Sequence, residues 1–97
     1  MKYGVKYFSA IRRDREVIKT HLDQYSTSAA KRLFGKIKTK LEIVKDNPYI
    51  YREYERRPQF RVMVVDDYLV FYKVNESKKI IEVHRILNGM MDIEQHM

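Results

Sequence analysis

Polar and apolar residues alternate in "YGVKYF" (3–8), with Tyr3, Val5 and Tyr7 on one face, which predicts a first strand. From Ser9 the period lengthens. Ile11, Ile18, Leu22 and Tyr25 fall at intervals of seven, four and three, the apolar stripe of a helix with Ser9 as its N-cap. "YSTSAAKR" interrupts that stripe, because serine and threonine side chains compete for the backbone donors a helix would use. A second helix follows, with Ala30, Leu33, Phe34, Ile37, Leu41 and Val44 on one face and Lys31, Arg32, Lys36, Lys38 and Lys40 on the other. Pro48 disfavours helical geometry at Asn47 and ends it. Two such helices with a short connection form an antiparallel hairpin whose shared stripe must cover something.

The period then returns to two. Residues 60–65, 68–74 and 80–86 read as three strands joined by Asp66-Asp67 and by "NESK" (75–78). One face would carry Phe60, Val62, Val64, Tyr68, Val70, Tyr72, Ile81 and Val83 and lie beneath the helices. The other mixes Arg61, Lys73, Glu82 and His84 with Met63, Leu69, Phe71 and Ile80, too apolar for water and too charged for a core. That face is therefore expected to meet a partner. The architecture implied is α+β: an N-terminal strand, then a two-helix antiparallel hairpin packed on one face of a small twisted antiparallel sheet. Tyr49, Tyr51 and Tyr54, in the aperiodic segment between helix and meander, are expected to pack at the sheet edge rather than to stack on bases.

With 97 residues and no internal repeat, the chain makes one domain, 1–97. Twenty Lys and Arg against thirteen Asp and Glu give a net charge of +7, which points to a polyanion or an acidic protein as partner. There is no cysteine, so disulfide and thiol chemistry are excluded and a cytoplasmic location is expected. No stretch has the length and apolarity of a signal peptide or a membrane span, so no membrane partner is expected.

Candidate chemistry is sparse. His21, His84 and His96 are scattered without metal-ligand spacing, and Gly4, Gly35 and Gly89 form no phosphate-cradling loop, so no metal or cofactor is expected. What remains is Arg61, Lys73, His84 and Arg85. Cations can meet the charge of a phosphoryl transition state, and a histidine can move a proton, so these four are the candidates for metal-independent RNA cleavage. Ordinary solvated strand positions, and an Arg85 paired with Asp92 or Glu82, are the plainer alternative.

In order along the chain, "YFSAIRRDREVIKTHL", "YSTSAAKRL", "NPYIY", "FRVMVVDDYLVFYKV" and "VHRILNGMMDI" resemble the RelE/ParE superfamily of toxins from type II toxin–antitoxin modules. The resemblance spans nearly the whole chain. It implies a helical hairpin on a short twisted sheet, and a cognate antitoxin that neutralises the toxin and alone reaches operator DNA. Two activities divide such toxins: RelE-like members cut messenger RNA on the ribosome, and ParE-like members inhibit DNA gyrase. Arg61 matches a basic position of the ribonucleases. However, Leu69 and Met91 stand where those enzymes usually carry an arginine and another basic residue. "RILNGMMD" instead resembles a ParE-type ending, with Asn88, Met90 and Met91 replacing His, Arg and Arg. The resemblance thus implies a gyrase-binding toxin. A ribosome-dependent endoribonuclease and a decayed toxin serving only as an antitoxin-binding regulator are the alternatives. Antitoxin or target contact is expected at Arg61, Met63, Leu69, Phe71, Lys73, Arg85, Met90 and Met91.

Overall fold

The structure is a computed structural model that describes residues 2–97. Strand β1 (Gly4–Tyr7) leads into helices α1 (Ala10–Asp23) and α2 (Ala29–Asp46). Strands β2 (Glu53–Tyr54), β3 (Arg57–Val65), β4 (Tyr68–Asn75) and β5 (Ile80–Asn88) follow, and a short helix α3 (Ile93–His96) comes last. The five strands form one sheet in the order β1-β5-β4-β3-β2.

The meander β3-β4-β5 is antiparallel as the alternation predicts, but the sheet is mixed. β1 runs parallel to β5, with Val5 opposite Ile81 and Tyr7 opposite Val83. Nothing in a strand's own sequence says which edge it will join. The helical hairpin carries the chain from β1 at one edge to β2 at the other, and the strands that follow step back until β5 lies beside β1, the long connection that a parallel pair requires.

Of the α2 stripe, Ala30, Leu33, Ile37, Leu41 and Val44 are in the core as read, while Phe34 is only partly buried at its margin. In α1, Ile11 and Ile18 are buried and Leu22 packs at the core's margin, while Tyr25 lies beyond the helix and is exposed. Ser9 and Ser28 occupy the N-cap positions, yet neither side chain caps the backbone; Ser28 instead accepts a 2.5 Å hydrogen bond from Arg32.

Two apolar clusters lie on opposite faces of the sheet. The larger, beneath the helices, holds Met63, Val65, Tyr68, Val70, Tyr72, Ile81, Val83 and Ile86. The smaller holds Phe60, Val62, Phe71 and Leu87, and Tyr54, Leu69, Met91, Ile93 and Met97 pack on it. The predicted faces are therefore right in β4 and the start of β5 but exchanged in β3. Met63 points to the helices, Phe60 and Val62 point away, and Val64 is 53% exposed. The cause is that both faces of β3 are covered, so apolar residues occupy both parities and the period of two loses its meaning. No described helix is long and apolar enough to cross a membrane.

Candidate functional site

The four cations proposed for phosphate chemistry do not come together. Arg61 shares its face with Met63 and Val65 and stands opposite Tyr72, on the helix side of the sheet. Its guanidinium lies 4.8 Å from the Tyr49 ring centroid, donates to the Tyr51 carbonyl at 2.7 Å and sits 3.8 Å from Glu53. Tyr51 packs on the helix-side core and Tyr54 on the smaller cluster, whereas Tyr49 stays half exposed against the arginine.

Lys73 and His84 lie on the other face, around Phe60. The Lys73 ammonium is 4.8 Å from that ring's centroid, and the His84 ring is 5.3 Å from it and 4.1 Å from Phe8. His84 Nε2 is 3.2 Å from Glu82 Oε1. The Asn75 amide, donating to Glu82 at 3.0 Å, holds that carboxyl below its ordinary pKa, with His84 helping and burial opposing. A bulge in β5 opposite Phe71 and Tyr72 separates His84 from the regular alternation.

Arg85 pairs with neither Asp92 nor Glu82. Its Nε and Nη2 donate to the two oxygens of Asp14, both at 2.9 Å, and the Ile86 backbone N–H donates to the same carboxylate at 3.0 Å. Asp14 is only 6% exposed, the one buried charged residue among those described. This forked pair raises the Arg85 pKa above its ordinary value, against burial. Arg85 also donates to the backbone carbonyl of His96, tying the C-terminal helix to the sheet. The pairing has a signature in the sequence: the seven-residue gap between Ile11 and Ile18 holds Asp14 on the same helical face.

The expected exposed row of Met63, Leu69 and Phe71 is not assembled. Met63 is in the helix-side core, Phe71 is fully buried, and only Leu69 is half-buried. The reason is the segment after β5, which folds back over that face with Met91, Ile93 and Met97. Gly89 starts the return. Its N–H donates to the Asp67 carbonyl at 2.8 Å, and a Cβ there would stand 3.3 Å from the same oxygen. Glu94 then accepts from Tyr54 at 3.4 Å and lies 3.4 Å from the Arg57 Nε.

What is left open is a cleft of about 600 Å³ between α1, the end of β5 and the C-terminal segment. Val17, Ile18 and Ile86 line it among Arg13, His21 and Arg85, and Met90, 91% exposed, stands at its side with Met91. The only acid lining it is Asp14, already held by Arg85. Among the described residues, no three His, Asp or Glu side chains gather where they could hold a metal ion.

This geometry, a basic hairpin on a mixed sheet with an apolar and cationic cleft, has a family. Residues 5–93 match the model of the ParE toxin of the type II toxin–antitoxin system parDE. The chain belongs to the ParE toxin family. Solved structures share the fold of this ParE-family toxin. A chain from the chromosomal ParDE toxin–antitoxin system of P. aeruginosa is 17% identical, with 90% of this chain and 96% of that one covered at a TM-score of 0.72. A mutant of the E. coli toxin RelE in the free state is 14% identical, with 99% and 93% covered at 0.69. A chain of the intact E. coli RelBE toxin–antitoxin complex is also 14% identical, with 92% and 99% covered at 0.65. No curated protein sequence matches.

Proposed function

We propose that this ParE-family toxin arrests growth by binding DNA gyrase rather than by cutting RNA. The observation that carries the reading is the placement of Leu69 and Met91. Both pack on the apolar cluster of Phe60, Val62, Phe71 and Leu87, where a ribonuclease of this fold would want cations. In-line attack by a 2′-hydroxyl builds negative charge on the phosphate, and each missing donor costs about 10²–10³ in rate. Leucine and methionine supply no N–H. Arg61 is committed to Tyr51 on the far face, and Arg85 is committed to Asp14. Lys73, a flexible point charge, does not replace a rigid fork.

A cognate antitoxin is the second partner, and the only route to operator DNA. Structures of toxin–antitoxin complexes among the relatives of this fold support it. The cleft beside Arg85, Met90 and Met91 suits an acidic amphipathic segment, whose apolar side chains would cover Val17 and Met90 while its acids meet Arg13 and His21.

The deciding experiment is induction of the toxin alone, with messenger RNA cleavage mapped beside gyrase-dependent DNA breaks. Breaks that disappear in a gyrase-resistant background, with intact message, are the expected result. Cleavage in the ribosomal A site that Arg61→Ala abolishes would overturn the reading. Antitoxin binding with neither lesion would make the chain a regulator only.

A further inference from the structure

Away from the cleft, several cations without acidic partners gather where β1 meets the two helices. Two depressions of about 590 and 370 Å³ adjoin there and share Tyr7 and Arg15. Phe8 and Arg12 line the first, Phe34 and Lys38 the second, and no aspartate or glutamate lines either. The Arg15 guanidinium lies 4.9 Å from the Phe34 ring centroid, and Lys6 extends the row at 5.3 Å from Phe8. Lys19, Lys36 and Lys45 of the same hairpin each form an ion pair. Lys6, Arg12, Arg15 and Lys38 are in none of those found among the described residues. Tyr7 keeps 47% of its surface exposed.

A solvated charge run is usually convex and mixed with acids. Here the surface is concave and free of acids, with Tyr7 as its open ring, while Phe8 rests on His84 and Phe34 lies beneath Arg15. Cations that follow phosphates beside rings that stack bases are the means by which proteins hold unpaired strands. A duplex keeps its bases stacked on each other, and an acidic polypeptide has no base to stack. We infer that the groove of Tyr7, Phe8, Arg12, Arg15, Phe34 and Lys38 binds single-stranded nucleic acid. It meets the antitoxin cleft at Ile86 alone and does not depend on gyrase being the target.

Fluorescence anisotropy of the purified full chain with a short labelled oligothymidylate tests this directly. Three groove cations on phosphates give a slope of about 2 in log Kd against log salt, and Arg12→Gln or Lys38→Gln each removes about 0.7 of it. Tyr7→Ala weakens binding about tenfold and Tyr7→Phe restores it, as a stacking ring requires. Lys78→Gln, an exposed and unpaired cation in the β4–β5 turn, changes neither. Thermal melting of each variant confirms that it is folded. Three results would each overturn the inference: no binding at low salt, duplex or polyglutamate bound as tightly as the single strand, or Lys78→Gln acting like Lys38→Gln.

Discussion

At the scale of single residues, Asp14 has more to do than any other charged side chain. A carboxylate this buried is tolerated only because Arg85 and the Ile86 N–H satisfy it, joining α1 to β5. Removing one partner of such a pair leaves the other buried and uncompensated. Asp14→Ala should cost about 3 kcal/mol in urea unfolding, and a double replacement of Asp14 and Arg85 by apolar residues of similar volume should recover most of it. Tyr72 is the second case. Its hydroxyl donates to the Pro48 carbonyl at 3.0 Å, and burial pushes its pKa from 10.0 up to about 12. The fold thus favours the protonated phenol. Its stabilising contribution is complete below about pH 10 and is lost as pH rises through about 12. Unfolding midpoints measured between neutral pH and pH 11 should fall more steeply in the parent chain than in Tyr72→Phe.

Among the elements, the helices were legible because each has one covered face, so their periodicity reports directly on burial. Leu41 is 2% exposed between α2 and the sheet, and Leu41→Ala should lower stability by about 2–5 kcal/mol. Lys38→Ala, exposed at the rim of the groove beside Phe34, should change it by less than about 0.5 kcal/mol in the same urea titration. The sheet was legible only in part. In β4 alternation places Tyr68, Val70 and Tyr72 beneath the helices, but it also leaves Phe71 on a face taken to be open, and that residue is buried. In β3 the C-terminal segment supplies a second cover, and "FRVMVV" has apolar residues at both parities. The β5 bulge then shifts the count by one at His84, so its neighbours could not be assigned by parity. The candidate site suffered most. Its residues are grouped by strand parity, and Asp14, the partner that settles Arg85, lies hidden inside an apolar stripe.

For the whole molecule, the net charge of +7 should act on encounter more than on final affinity. Stopped-flow mixing with the antitoxin should show an association rate that falls steeply with added salt, while dissociation changes little. Met90→Asp, at the exposed side of the cleft, should do the reverse and accelerate dissociation at least tenfold. An unchanged dissociation rate would remove the cleft as the docking site. The pairing of β1 with β5 has a further consequence, in time rather than space. The first strand and the last lie side by side, so the stripes of α1 and α2 have no complete surface to cover until β5 exists. Such long-range closure makes folding slow and postpones it until β5 has been made. The partly made chain therefore has no finished surface with which to grip any partner, and a chain ending at Asn75 should show no cooperative unfolding transition by circular dichroism.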